Sequence, residues 1–346
     1  MKQKSIKIFV TSFILFFLSS KFIIAEGVPD IWAQSFIAID ADSGRIIVSN
    51  NANKRLPMAS TTKIMTTILS IDNINNVNEK FEIPESCVGI EGSSIYLKPK
   101  QIVSFIDLLY GTMLRSGNDA ALALATITGK NDAENFIDMM NAKAKELGAY
   151  NTNFVNPNGL HDDNHYTTAY DLAIISQYAM KSDLFKEISS AKKYKANSLN
   201  TILYNKNKVV HQYKYGNGIK IGYTRAAGRC LVASAEKNDT EIIVVLLNDN
   251  SWFNDSYKIF DWAFENYNNY SIVEKGQYVG STNEGKPVFT DSNFSYLLTE
   301  EEKTQIKFKS NITTPHIING NKTINYGTYN IYLGNDLIHT GNLISN

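Results

Sequence analysis

The chain has 346 residues, of which 43% are hydrophobic and 20% are charged, and its formal net charge is +0. This composition is typical of a globular protein, and the length suits one large domain with a smaller one. Zero net charge offers no electrostatic attraction to nucleic acid, so we expect no nucleic-acid partner.

Residues 1–25 predict a secretory signal peptide. Three lysines in the first seven residues precede an apolar run over residues 8–18, and Ala25 is a small residue before Glu26. The run is shorter than the ~20 residues that span a bilayer, and Lys21 interrupts its extension. We therefore expect an exported, extracytoplasmic protein, in the cell wall or at the outer face of the cytoplasmic membrane. Retention of the uncleaved segment is the alternative, so membrane association stays open.

The first elements of the mature chain are a hairpin and a helix. Apolar alternation on both sides of the turn sequence Asp42-Ser43-Gly44 predicts a β-hairpin over residues 35–50. Apolar residues then recur at helical spacing after Ser60. Ser60 thus stands at a predicted helix start, with Lys63 three residues further on.

A helical block and a return to strands follow. Helical patterns occupy residues 107–113, 119–127, 132–147 and 169–180. Strand patterns occupy residues 200–210, 218–224, 230–235 and 241–247, and a helix is predicted over residues 257–264. Strands, an inserted helical block, then strands and a helix indicate an α/β fold with a helical lobe.

Beyond Asn266 the sequence changes to short polar and apolar alternations separated by Gly and Asn pairs. We predict one large domain over residues 26–268 and a small C-terminal β-rich domain over residues 269–346. The end at Asn346 shows no basic amphipathic helix of the kind that binds membrane surfaces.

Three polar motifs occur in an informative order. Residues i and i+3 of a helix share a face, so the Lys63 amine can reach the Ser60 hydroxyl and serve as its base. Alone, this spacing equally fits a helix N-cap followed by a solvated lysine. Ser116-Gly117-Asn118 follows at a helix junction, and Lys220-x-Gly222 follows on a predicted strand. The three together are a much rarer coincidence.

These motifs resemble those of the serine-type D-alanyl-D-alanine carboxypeptidases, the low-molecular-mass penicillin-binding proteins. Further segments carry the resemblance across nearly the whole mature chain, among them MASTTKIMT, LRSGNDAALALA, FVNPNGL, HYTTAYDLA and TPHIINGNKTINYGTYNIYL. The resemblance implies a β-lactamase/transpeptidase-like fold, in which helices flank a five-stranded antiparallel sheet, with a C-terminal β domain. It also implies a role in peptidoglycan and cell-wall biogenesis.

The resemblance assigns catalytic roles to four side chains. Ser60 would attack the peptide bond before the terminal D-alanine of a peptidoglycan pentapeptide stem, and Lys63 would be the general base. Ser116 would relay a proton to the leaving amine, and Asn118 would hold the peptide backbone. Water would then hydrolyse the acyl-enzyme, with neither a cofactor nor a metal ion, and β-lactam antibiotics would be covalent inhibitors.

The resemblance also implies a substrate-binding strand. Lys220 would supply positive charge, Gly222 would leave clearance for the substrate, and Tyr223 and Thr224 would be further substrate-binding residues. The backbone N–H groups of Ser60 and Tyr223 would form the oxyanion hole.

Two positions depart from the family pattern. Ile221 stands where the family usually has a threonine whose hydroxyl contacts the substrate carboxylate. Trp252 stands near the place where many members have an arginine for the same carboxylate. Arg225 or Arg229 are candidate replacement cations.

Three alternative functions can be compared with the sequence. A Ser-His-Asp hydrolase is disfavoured because the sequence has no G-x-S-x-G motif. A β-lactamase is disfavoured because the loop containing FVNPNGL offers no glutamate to activate water. The alternative from another functional class is a non-catalytic or weakly active peptidoglycan-binding homologue. In that case Ile221 would be the first sign of a decaying active site.

Two smaller questions concern cysteine and metal chemistry. Cys87 and Cys230 have no metal-binding spacing and are either a disulfide or two buried thiols. His161 with Asp162 and Asp163 has metal-binding side chains but no second ligand cluster. We therefore predict no metal site.

Overall fold

A computed structural model describes residues 27–318 and 323–345. The predicted signal peptide lies outside these residues. Within the described ranges, no helix is both long and apolar enough to cross a bilayer.

The first part of the described chain alternates between strands and helices. In chain order its elements are β1 Ser35–Asp40, β2 Ile46–Asn50, α1 Lys63–Asp72, β3 Lys80–Glu82, β4 Ile102–Ser104, α2 Phe105–Leu114, α3 Asn118–Thr128, α4 Ala133–Glu146, α5 Ala169–Ala179, α6 Asp183–Ser190, β5 Lys193–Ala196, β6 Thr201–Tyr204, α7 Val209–Gln212, β7 Gly216–Thr224, β8 Gly228–Lys237, β9 Thr240–Leu247 and α8 Trp252–Asn266. The remaining part is mostly strand. Its elements are β10 Asn268–Val273, β11 Tyr278–Ser281, β12 Pro287–Thr290, β13 Phe294–Leu298, α9 Glu300–Lys303, β14 Ile306–Ile318, β15 Thr323–Leu333 and β16 Asp336–Ile344.

The central sheet of the described chain has five antiparallel strands in the order β2-β1-β9-β8-β7. Both faces of the sheet are apolar. A strand such as β9 is a nearly continuous apolar run, and its successive side chains point to opposite sides. On β8, Cys230 and Val232 join the core beneath the helical lobe, whereas Leu231 and Ala233 join the core beneath α8. The predicted β-lactamase/transpeptidase-like α/β architecture is confirmed. Strand β7 is an edge strand, and it contacts α6 and the turn over residues 59–62.

The C-terminal strands form a second sheet in the order β11-β12-β16-β15-β14, beside the β10-β13 pair. This sheet has its own core, which includes Tyr329, Ile331 and Leu343. Arg45 on the β1–β2 turn reaches this region, where its guanidinium donates to the Leu297 carbonyl and the Glu302 carboxylate. The division of the chain at residue 268 stays a prediction, and β10 begins there.

Most predicted elements are confirmed, but the strand predicted over residues 200–210 is correct only for β6, Thr201–Tyr204, and wrong beyond it. It is interrupted after β6, because the Asn205 side chain accepts from the Asn207 N–H at 2.9 Å and the Asn207 side chain accepts from the Val209 N–H at 3.1 Å. Such side-chain bonds to the backbone favour turns over strands. The chain then enters the short helix α7. Helix α6 has no counterpart among the predicted elements.

Cys87 and Cys230 are both buried free thiols, so the disulfide alternative is wrong. The Cys87 sulfur lies 3.6 Å from the Thr126 hydroxyl. The Cys230 sulfur lies 3.8 Å from the Pro57 carbonyl. Burial raises the pKa of the Cys230 thiol to about 12, which keeps it unreactive.

Candidate active site

Ser60 lies in a 3₁₀ turn, Ala59–Thr62, that leads directly into α1. Its hydroxyl accepts a hydrogen bond from Lys63 Nζ at 3.0 Å, which realises the predicted i, i+3 pair. The same hydroxyl lies 3.4 Å from the backbone carbonyl of Asn158. The candidate nucleophile is thus held between a lysine amine and a backbone acceptor.

Lys63 is fully buried in the centre of the site. Besides Ser60, its Nζ donates to Asn118 Oδ1 at 2.7 Å and to the Asn158 carbonyl. Burial lowers the pKa of Lys63 well below its ordinary value of 10.5, and the positive charge of Lys220 lowers it further. A lysine that loses its proton this readily can act as a base toward the Ser60 hydroxyl.

The second motif lies at the start of α3. Ser116 is buried with a backbone φ of +60°, and Asn118 is the first residue of the helix. The Asn118 N–H donates to the Ser93 carbonyl at 2.7 Å. The Asn118 side-chain amide donates to the Glu91 carbonyl, which leaves its oxygen directed at Lys63.

Asp119 supports this motif and was missed by the sequence reasoning. Its carboxylate accepts from the Ser94 hydroxyl at 2.6 Å and from the N–H groups of Ile95 and Leu97, both at 3.1 Å. It thereby fixes the loop that carries Ser93, the backbone partner of Asn118. The available signal was an acidic residue in the first turn of a helix, where it suits the helix dipole.

The third motif brings β7 alongside Ser60, the candidate nucleophile. A Cβ atom at Gly222 would lie 2.8 Å from the backbone N of Ser60, so the space that glycine leaves is filled by the Ser60 turn. Lys220 is buried on the same face of β7 and donates to the Ile221 carbonyl at 2.8 Å. Burial, with the charge of Lys206 second, lowers the pKa of Lys220 to about 7.

The other singled-out residues of β7, Ile221, Tyr223 and Thr224, make no side-chain contact with Ser60 among the described hydrogen bonds. The Tyr223 side chain is 64% exposed. The Thr224 hydroxyl accepts from the Ala227 N–H at 3.0 Å and closes the turn between β7 and β8. Ile221 is paired with Leu231, on the sheet face opposite Lys220.

The α8 face of β7 is apolar at the positions where the sequence resemblance implies polar groups. Ile221 and Trp252, the first residue of α8, both pack against the core cluster that contains Leu231. Arg229 lies opposite Tyr223 across the β7–β8 pair, and its guanidinium donates to the Asn250 carbonyl at 2.8 Å. Arg225 is exposed in the same turn.

The loop over residues 154–165 closes the site from the other side. Its Asn158 carbonyl binds Lys63, and its Pro157 carbonyl accepts from the Thr66 hydroxyl at 2.6 Å. The sequence could not reveal these contacts, because backbone atoms supply them. His161 is exposed, 3.5 Å from Asp163. Residues 27–318 and 323–345 contain no group of three or more metal-ligating side chains.

A buried lysine amine beside a serine at the start of a helix, with an edge strand packed against that serine, is the arrangement of a serine peptidase of the penicillin-binding type. The family model for D-alanyl-D-alanine carboxypeptidases matches residues 23–251. The chain therefore belongs to the D-alanyl-D-alanine carboxypeptidase family, and it is a serine-type D,D-carboxypeptidase. This confirms the resemblance, and neither the β-lactamase nor the non-catalytic alternative is favoured.

Individual relatives agree with this assignment. The chain is 33% identical over 304 residues to the D-alanyl-D-alanine carboxypeptidase DacF of Bacillus subtilis, covering 82% of this chain and 78% of that protein. It is 33% identical over 277 residues to DacC of Escherichia coli, covering 73% of this chain and 67% of that protein. The solved structure of penicillin binding protein 5 from Haemophilus influenzae superposes with a TM-score of 0.78 at 27% identity, covering 92% of this chain and 97% of that chain.

Proposed function

We propose that Ser60 removes the terminal D-alanine from peptidoglycan pentapeptide stems through an acyl-enzyme. Neutral Lys63 takes the hydroxyl proton as Ser60 Oγ bonds to the carbonyl carbon of the penultimate D-alanine. The oxyanion forms between the N–H groups of Ser60 and Tyr223. The carbon–nitrogen bond then breaks, and the proton passes from Lys63 through Ser116 to the leaving amine. Water hydrolyses the ester and restores Ser60.

The observation that carries this proposal is the environment of Lys63. Its amine is fully buried and lies 3.0 Å from Ser60 Oγ, with a pKa well below 10.5. A solvated lysine would be protonated at neutral pH and could not accept the serine proton. In the neutral amine the two N–H bonds go to Asn118 Oδ1 and the Asn158 carbonyl, so the lone pair faces Ser60 Oγ and accepts the hydroxyl proton.

Recognition of the substrate carboxylate is proposed to be weaker than the usual family pattern gives. Ile221 offers no hydroxyl, and Trp252 offers no cation. A hydrogen bond to a charged group is worth about 1.5–3 kcal/mol, so its loss reduces the rate or affinity by one or more decades. Lys220, buried on β7, remains as a source of positive charge.

The substrate and the N-terminal sequence together support an extracytoplasmic location. A signal peptide over residues 1–25 would deliver the enzyme to the cell wall or the outer face of the cytoplasmic membrane, where peptidoglycan stems lie. β-Lactam antibiotics are the proposed covalent inhibitors, because they present a strained acyl group to the same serine.

The test is release of D-alanine from a purified pentapeptide stem. The wild-type chain without residues 1–25 should release D-alanine, and Ser60→Ala should release none. Ser281→Ala, which removes a hydroxyl on exposed β11, is the matched control and should equal the wild type. A wild type that is folded by circular dichroism but releases no D-alanine would contradict the proposal. Rapid hydrolysis of nitrocefin with no D-alanine release would favour a β-lactamase.

A further inference from the structure

A chain of hydrogen bonds runs from the loop over residues 154–165 to the peptide bond that precedes Ser60. The Val155 N–H lies 3.1 Å from His165 Nδ1, and His165 Nε2 lies 2.7 Å from the Thr62 hydroxyl. The Thr62 hydroxyl lies 2.8 Å from the Ala59 carbonyl. We call this chain the His165 relay.

The direction of every bond in the His165 relay is determined. The Val155 N–H can only donate, so His165 Nδ1 must be the acceptor and the single proton of a neutral imidazole is on Nε2. Nε2 therefore donates to Thr62, whose own proton goes to the Ala59 carbonyl. Burial is the main cause that lowers the pKa of His165 to about 4, so the ring is neutral around pH 7.

The last hydrogen bond of the His165 relay orients the Ala59–Ser60 peptide, whose N–H is a proposed oxyanion donor. The Ala59–Ser60 peptide is trans, so the Ala59 carbonyl and the Ser60 N–H lie in one plane and point in opposite directions. A bond that fixes the carbonyl therefore fixes the N–H. This N–H is one of the two donors proposed for the oxyanion hole, and its nitrogen lies against Gly222 on β7.

This peptide needs external support. Ala59 has a φ of +48°, a left-handed conformation that costs a non-glycine residue about 1–2 kcal/mol. The backbone of Gly159, which has a φ of +84°, packs closely against this peptide from the loop over residues 154–165. A Cβ atom at Gly159 would lie 2.0 Å from the Ala59 oxygen and 2.9 Å from the Ser60 nitrogen. The carbonyl is thus held by the Thr62 hydroxyl and confined by the Gly159 backbone.

We propose that His165 and Thr62 are positioning residues, which orient the Ser60 N–H toward the oxyanion of the reaction. The inference rests on the proposed function of Ser60. Both side chains are buried and act through the Ala59 carbonyl. Without the relay, the Ala59 carbonyl loses its side-chain hydrogen bond, and the Ala59–Ser60 peptide samples orientations in which the N–H misses the oxyanion.

The infrared carbonyl stretch of the penicilloyl ester on Ser60 tests this directly. A hydrogen bond from the Ser60 N–H lowers the stretching frequency, so Thr62→Val and His165→Phe should move the band to higher frequency. Thr62→Ser retains the hydroxyl and should keep the wild-type band. Thr61→Val is the matched control, because the Thr61 hydroxyl is equally buried in the same turn but donates to the Met58 carbonyl, one peptide earlier.

Kinetics supply the second readout. The acylation rate constant should fall roughly 10- to 100-fold in Thr62→Val, because a misdirected oxyanion donor loses most of its effect, while the dissociation constant of the non-covalent complex stays within about threefold. A purely structural role would alter thermal stability and leave the carbonyl band in place.

The outcomes separate the two proposals. A wild type that penicillin does not acylate overturns the proposed function, and the relay with it. A wild type that is acylated, beside a folded Thr62→Val with an unshifted band and unchanged acylation rate, overturns the relay alone. If His165→Phe does not fold, Thr62→Val still decides the question.

Discussion

Replacement of Lys220 by methionine should stabilise the protein while it impairs the enzyme. Methionine has a similar length and needs no solvation, whereas the Lys220 ammonium is buried with a pKa of about 7. The folded-state pKa lies below the ordinary value of 10.5, so the unfolded chain binds the proton more tightly. The stability of the wild type therefore falls as the pH falls from 10.5 toward 7, and the deficit is complete below 7.

The expected magnitude follows from that difference in pKa. At pH 7 the proton linkage costs the wild-type fold about 4 kcal/mol. Methionine also loses the bond from Nζ to the Ile221 carbonyl, which is worth about 1 kcal/mol. Lys220→Met should thus be more stable by about 3 kcal/mol at pH 7, and the difference should shrink toward zero by pH 10.

Urea unfolding followed by tryptophan fluorescence measures this gain. Trp32, Trp252 and Trp262, the three tryptophans of the sequence, all precede residue 268, so the signal reports on the part that contains Lys220. Lys195→Met, at an exposed position of β5, is the control and should show no such pH dependence. The reasoning is refuted if the stability difference between Lys220→Met and wild type is the same at pH 7 and pH 10.

Three further variants test separate parts of the site. Ile221→Thr should raise the rate of D-alanine release roughly 10- to 100-fold by supplying a hydroxyl for the carboxylate; an unchanged or lower rate would show that isoleucine is an adapted part of the site. Gly222→Ala should slow acylation of Ser60 at least about tenfold, since its Cβ would lie 2.8 Å from the Ser60 nitrogen, and wild-type acylation would contradict that crowding. Arg45→Met should lower the melting temperature in calorimetry, because it leaves the buried Glu302 carboxylate unpaired at a cost of about 3 kcal/mol; an unchanged melting curve would argue against that contact.

The grouping of the candidate catalytic side chains could be predicted because local geometry and motif order bring them together. Helical spacing alone brings Lys63 to Ser60, and the structure has the two atoms 3.0 Å apart. Strand alternation indicates that Lys220 and Gly222 share a face, and both lie on the side of β7 that meets the Ser60 turn.

Long-range and backbone contacts could not be predicted in this way. The Asn158 carbonyl binds Lys63 from 95 residues away, and a main-chain acceptor leaves no trace in residue type. Arg45 meets Glu302 across 257 residues, which no periodicity reveals. The strand predicted over residues 200–210 ends at Tyr204, because the Asn205 side chain accepts from the Asn207 N–H, a local bond that competes with the strand.

The central claim is that Ser60 is the nucleophile of a D,D-carboxypeptidase with Lys63 as its base. The most direct measurement is mass spectrometry of the protein after incubation with benzylpenicillin, followed by peptide mapping, with D-alanine release assayed in the same preparation. We predict a single penicilloyl adduct on the peptide that contains Ser60, its absence in Ser60→Ala, and slow formation in Lys63→Met. An adduct on a different residue, or D-alanine release that survives in Ser60→Ala, would contradict the account.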